Sequence, residues 1–216
     1  MEKRKRNILI VILIAIQIGI MILRITTLPH IYTAKDKVSG FGPTVNRMYY
    51  PGIEFSTKRA DVIVEGRIVA DLPKTYAPKL YGEGADVKHL DAKVYKVRIK
   101  KIWAGDFNKR TVVAFFCGYA PYDMAPRMND KVITFLKYDD YYQIYHPVDG
   151  EFSTFIINPN GTLFSLAEDE ESAQYDGKLP YRLKKDVQEK IAELAADKKI
   201  IGGEVLKKYR EENKTS

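Results

Sequence analysis

Between Ala60 and Leu166 the apolar residues fall in short runs of strand length, and turn residues separate the runs. The runs are ADVIVEGRIVA (60–70), AKVYKVRIKKIW (92–103), TVVAFFCGY (111–119), DKVITFLKY (130–138), YYQIYHPV (141–148) and EFSTFIINPNGTLFSL (151–166). They are rich in Val, Ile, Phe and Tyr, whose branched or aromatic side chains suit a pleated, half-buried surface. No stretch between them carries the 3.6-residue period of a helix. Such a chain folds its strands into a small antiparallel barrel or a sandwich. Gly66, in the middle of the first run, marks a bend or bulge. The last run is a hairpin, and its Asn160-Gly161 suits a type I′ turn.

The stretch VYKVRIKKIWAG, Val94 to Gly105, alternates apolar with basic residues. Val97 and Ile99 fall on one face of a strand, and Lys96, Arg98 and Lys100 on the other. Two readings stand open. The basic face is the wet side of an ordinary barrel strand, or it is a strip that faces a ligand, with Tyr95 and Trp103 beside it.

After the strands the period changes. In PYRLKKDVQEKIAELAADKK, Leu183, Val187, Ile191 and Leu194 share one face of an amphipathic helix. Charges of both signs fill the rest, which suits a solvated outer face. Gly202-Gly203 ends the helix, and EVLKKYREENKTS adds a final turn or two. The expected architecture is mainly β: an OB-like antiparallel barrel with a C-terminal amphipathic helix and an N-terminal transmembrane helix.

That transmembrane helix rests on the opening, MEKRKRNILIVILIAIQIGIMILRI. Ile8 to Leu23 is apolar except for Gln17, and Arg24 can snorkel. With Ile25 the run reaches roughly 27 Å as a helix, against a hydrocarbon core of about 30 Å. Four consecutive basic residues, Lys3 to Arg6, precede it, which keeps the N-terminus cytoplasmic and puts the body outside. The rival reading is a cleaved signal peptide. Against it, the apolar run is long and no small-x-small site follows; IYTA, ending at Ala34, offers bulky Tyr32 instead. The net charge of +7 resembles that of a nucleic-acid binder, but five basic residues and one acid lie in residues 1–25, so most of the excess sits in the leader. The single cysteine, Cys117, allows no intrachain disulfide and lies in an apolar run as a buried thiol. An exported domain without disulfides fits a bacterial envelope protein.

ADVIVEGRIV, YKVRIKKIWAGD and NDKVITFLKY together form a pattern. It consists of an Ala-Asp strand with a mid-strand Gly, a long second strand ending in an aromatic-x-Gly turn, and a polar turn before an apolar FL strand. Over about residues 60–166 this resembles the OB-fold barrels of the netrin-module type, to which the tissue inhibitors of metalloproteinases belong and to which many bacterial envelope proteins are similar. The resemblance implies a barrel. It does not bring the inhibitory mechanism with it. Those inhibitors chelate the protease zinc through an N-terminal Cys, and here Ala60-Asp61 opens the domain without one.

The expected domains are a leader and anchor (1–25), a Pro- and Gly-rich spacer (26–58), the barrel (59–168) and a helical tail (169–216). His30, His89 and His146 show no metal-ligand spacing, so no metal is expected. The acidic run Glu168 to Ser172 lacks the alternating ligands of a calcium loop. No phosphate loop, nucleophile elbow or catalytic carboxylate pair is visible, so neither a cofactor nor catalysis is expected. The aromatic residues Trp103, Tyr119, Tyr122, Tyr138, Tyr141, Tyr142 and Tyr145 gather near strand ends and loops. Barrels of this class bind sugars and oligonucleotides by stacking on such surfaces. The expected binding residues are Trp103, Tyr119, Tyr122, Tyr141 and Tyr142, with Lys96 and Arg98. Residues 112–177 hold three basic against eleven acidic residues, so this part repels phosphates and nucleic acid is not an expected partner. The expected function is that of a membrane-anchored, extracytoplasmic binding protein whose partner is an envelope protein or glycan. The alternatives are an accessory envelope enzyme, peptidase or glycan hydrolase, and a secreted inhibitor-like protein released by cleavage.

Overall fold

The computed structural model describes residues 10, 12–18, 30–33, 52–77, 91–118, 126–148, 150–167 and 170–213. The chain forms two compact units, Met1–His30 and Ile31–Ser216. In the first, residues 12–18 are helical, with their isoleucines exposed. The rest of the expected anchor lies outside the described residues. Among the described residues no helix is long and apolar enough to cross a membrane.

The described residues of the second unit contain seven strands. These are β1 (Val62–Leu72), β2 (Asp91–Gly105), β3 (Thr111–Gly118), β4 (Lys131–Asp139), β5 (Ile144–Pro147), β6 (Thr154–Ile157) and β7 (Leu163–Ser165). β1 pairs antiparallel with β2 along one edge and with β4 along the other. β2 pairs with β3, β3 touches β5 in parallel through Ala114 and Tyr145, and β5 pairs with β4. The pairings therefore run round a ring and return to β1. The hairpin β6–β7 branches from β4.

Alternate residues of the ring strands meet on its inner face. Val62, Val64 and Ile68 of β1, Tyr95 and Val97 of β2, Val112, Ala114 and Phe116 of β3, and Val132 and Leu136 of β4 form one buried cluster. Gly66 sits in this inner row because nothing larger fits. A Cβ there would lie 2.7 Å from Val97 Cγ1 and 2.8 Å from the Arg98 carbonyl oxygen. The register of β1 on β2 slips beside it, between Glu65 and Gly66, which is the expected bulge. Tyr32, within the segment read as a spacer, joins the inner cluster and stacks on Phe164. Its hydroxyl donates to Asp130 at 2.5 Å, and Asn158 accepts from its backbone N–H at 2.9 Å.

Among the described residues of this unit are the α-helices α1 (Ile53–Arg59), α2 (Glu170–Ala173), α3 (Pro180–Ala196) and α4 (Glu204–Glu212). The apolar face expected at Leu183, Val187, Ile191 and Leu194 is buried, and these side chains pack with Ile63 of β1 and Ile133 and Phe135 of β4. α1 and α4 join them through Ile53, Val205 and Leu206. This corrects the expectation of a mainly β chain, since strand and helix contribute about equally. The physical reason lies in β1 and β4. Val62 to Gly66 and Val132 to Leu136 are buried at every position, so a second layer must cover their outer faces.

Local bonds fix this layer. The Asp61 carboxylate accepts from the backbone N–H of Tyr138 at 2.9 Å and of Glu204 at 3.3 Å, tying the end of β4 to the start of α4. Arg210 donates to the carbonyls of Leu194, Ala195, Asp197 and Ile200, four acceptors at and beyond the end of α3. The hairpin turn differs from the expected type I′. Gly161 N–H donates to Asn158 O at 2.8 Å and Gly161 alone of the turn residues has positive φ, +86°. Pro159 presets the first corner of a type I turn, and Gly161 then takes the left-handed position.

Candidate functional site

The helices pack on the outer faces of β1 and β4 and on the end of β2. Among the described residues, α1 to α4 do not cover the outer surface from the first half of β2 through β3 to β5, where the short 3-10 helix Gly150–Ser153 touches β3 and β5. Here the strand alternation expected at 94–100 holds: Lys96, Arg98 and Lys100 are exposed, Tyr95 and Val97 are buried, and Ile99 packs inward. Register places Lys96 opposite Val113, Arg98 opposite Thr111, and Val94 opposite Phe115.

Beside the cations lies an apolar and aromatic patch. Val94, Ala77 and Ile144 are buried at its base, and Leu72, Val113, Phe115 and Tyr142 pack half-buried over them. Phe115 stacks on His146, with ring centroids 5.4 Å apart, and meets Tyr142 edge-on at 6.1 Å. Tyr142 in turn meets Tyr141 edge-on at 4.9 Å. Tyr141 is 67% exposed, so its ring is available to stack on something outside the chain. The tight turn at the β4–β5 corner holds these two tyrosines. The Tyr142 backbone N–H donates to Asp139 Oδ1 at 2.8 Å, and Gln143 takes a left-handed φ of 57°. His146 Nδ1 donates to its neighbour's carbonyl, Pro147 O, at 2.8 Å, which fixes the ring that Phe115 leans on.

Of the residues expected from sequence, the structure brings Lys96, Arg98, Tyr141 and Tyr142 to this one surface. Trp103 stands elsewhere, half-buried against the helix-covered cluster. Tyr138 and Tyr145 are also apart, packed edge-on at 5.1 Å, with Phe107 against Tyr145. Burial, and then the Asp61 carboxylate and Tyr138, raise the Tyr145 phenol above its ordinary range, so it stays protonated. Tyr119, Tyr122 and His89 lie outside the described residues, as does the side chain of Cys117. Glu170 and Glu171, from the acidic run, open the short helix α2. Among the described residues no group of three or more His, Cys, Asp or Glu side chains could hold a metal ion.

Phe115, Val113 and His146 were not picked out from sequence. The period-two rule contained the signal, because Val113 and Phe115 alternate with the inward Val112, Ala114 and Phe116. No protein-family model matches the chain, and a search of curated proteins finds no relative.

Proposed function

We propose that the protein is an envelope-anchored binding module. Its ring of strands is a five-stranded barrel of the OB type, held outside the membrane by the apolar leader, and it acts by capture rather than catalysis. Support for the barrel is the pairing order β1-β2-β3-β5-β4 with β4 back on β1, including the parallel contact of β3 with β5. Support for the anchor is the sequence alone, with its basic cluster and apolar run.

The observation that carries the binding reading is the surface that α1 to α4 leave uncovered among the described residues. One exposed tyrosine, Tyr141, rests on a packed aromatic base of Tyr142, Phe115 and His146, and the exposed cations Lys96 and Arg98 stand on the same face. Rigid rings that lose little entropy, next to charged donors, suit a sugar or peptide chain. The partner is therefore an envelope polymer or protein, and glycan is the better fit to flat exposed rings.

The test is co-sedimentation of the full chain, in neutral detergent, with purified insoluble wall polysaccharide. The native chain is expected in the pellet, and Tyr141→Ala with Tyr142→Ala is expected in the supernatant with an unchanged circular dichroism spectrum. Equal pelleting of the folded double variant would remove the aromatic surface from the reading.

A further inference from the structure

We propose that the bare surface extends into a cationic strip, Lys131–Arg67–Arg98 with Lys96, and that its ligand is an anionic glycan polymer. This rests on the binding reading above and adds the ligand's charge.

The register carries the argument. Arg67 of β1 stands directly opposite Arg98 of β2 on one side and Lys131 of β4 on the other. Neighbouring Cα partners lie about 5 Å apart, so three cations span roughly 10 Å in one row. All three are exposed and point outward, because each borders inward residues: Ile68 for Arg67, Val97 for Arg98 and Val132 for Lys131. Like charges placed directly opposite destabilise a sheet. Opposing a cation with an acid would remove that cost, and the chain does not do so here. Among the described residues none of the three has a carboxylate partner within ion-pair distance, nor has Lys96. The acid next along the outer row of β1, Glu65, is already held by Lys100 and Lys101, each at 3.5 Å.

An unfavourable row of this kind is relieved by an anion that spans it. A polymer fits better than a single ion, since the charges follow one another strand by strand. A sugar backbone fits better than a membrane surface. From Arg98 the arc continues round the ring to Phe115 and Tyr141, where rings can stack on the uncharged faces of sugar units. The acids Asp139 and Asp140 beside Tyr141 confine the polymer's charges to the cationic row, and a flexible polymer follows that curve while a flat bilayer touches only part of it.

The probe is polygalacturonate, with dextran as its neutral counterpart, and the chain is used full-length in neutral detergent. Polygalacturonate is expected to bind with an affinity that falls steeply with salt, and dextran only weakly. The double variant Arg67→Gln, Lys131→Gln is expected to lose about five- to twentyfold in affinity, two exposed charge contacts together. Its thermal midpoint without polymer should be equal or higher, because the repulsion is gone; a purely structural role for these cations would lower it. Unweakened binding by the double variant overturns the strip. Loss of binding on Tyr141→Ala with no effect of the charge variants leaves the aromatic surface standing and removes only this inference. Phosphatidylglycerol added to the micelles is the membrane arm. If it protects Lys131 and Lys96 from amine labelling and polygalacturonate does not, the strip is a bilayer-docking face and the proposal fails.

Discussion

The two sides of the strand ring differ in what covers them. On the β1 and β4 side α1, α3 and α4 cover the outer face over Val62–Gly66 and Val132–Leu136, where five consecutive residues of each strand are buried, and leave Arg67 and Lys131 exposed at its edge. On the β2, β3 and β5 side the outer face ends in exposed Lys96, Arg98 and Tyr141 over a thin apolar layer. The first side holds the closed core, and the second is the one proposed above for contact. The difference teaches that a strand's composition reports the coverage of both its faces. A continuous apolar run demands a second layer, and alternation permits solvent or a ligand.

Deep truncation on each side breaks or sharpens this contrast. Phe155 of β6 is fully buried in the helix-covered cluster, edge-on to Tyr175 at 5.7 Å. Phe155→Ala should cost about 3–5 kcal/mol, the range for a large aromatic lost from a closed core. Phe115→Ala on the bare side should cost about 1 kcal/mol, since half-burial gives about half the transfer term. Urea denaturation of the two variants measures both. Equal losses would mean that the bare side is as much core as the covered side.

Next in size is the bulge where the two sides join. Gly66→Ala places a methyl 2.8 Å from the Arg98 carbonyl oxygen, which is backbone and cannot swing away. The strands must part, at about 1–3 kcal/mol. The same parting would move Arg98 and Arg67 out of register, so polymer affinity should fall with stability in this variant.

Much of this was legible in the sequence. The strand runs, the mid-strand Gly66, and the apolar stripe of α3 at Leu183, Val187, Ile191 and Leu194 follow from period alone. Helix α1 was not legible. Its seven residues, IEFSTKR, follow Pro51-Gly52 and show too short a period, and its packing against the covered cluster supplies what its sequence lacks. The hairpin turn was misjudged because Pro159, which shifts the turn one residue earlier, outweighs Asn160-Gly161. In the candidate site, Lys96 and Arg98 showed as alternation and Tyr141 and Tyr142 as composition. Trp103 looked equivalent to them, and only the docking of the helices separates it. Nothing in the sequence singles out Arg67 and Lys131, because their alignment exists only once three strands are in register.

A smaller effect concerns pH and the covered side alone. Tyr175 donates to Asp186 Oδ2 at 3.0 Å and joins the α2–α3 connection to α3. Burial, then this bond and the nearby carboxylate charges, raise its phenol well above the usual value near 10. The native state keeps a proton that the unfolded chain releases, so this stability is full below about pH 10 and is lost as pH rises beyond it. Tyr175→Phe should cost about 1 kcal/mol at neutral pH, the net worth of one hydrogen bond. It should also flatten the fall in urea midpoint between pH 9 and 11. An unchanged alkaline slope would place the titration elsewhere.

The smallest effect on stability is the one that most tests the contrast. Tyr141 is 67% exposed and meets only its neighbour Tyr142 edge-on, so Tyr141→Ala should change stability by about 0.5 kcal/mol or less. A ring used for packing would show its value in the melting curve. A ring used for contact shows it in affinity, where the loss of one stacking partner is worth about 0.5–1.5 kcal/mol, or roughly two- to twelvefold. Tyr141→Phe keeps the ring and should restore most of the binding, which separates stacking from hydroxyl bonding. If Tyr141→Ala destabilises the fold by more than 1 kcal/mol, this tyrosine belongs to the core, and the proposed contact surface loses its exposed ring.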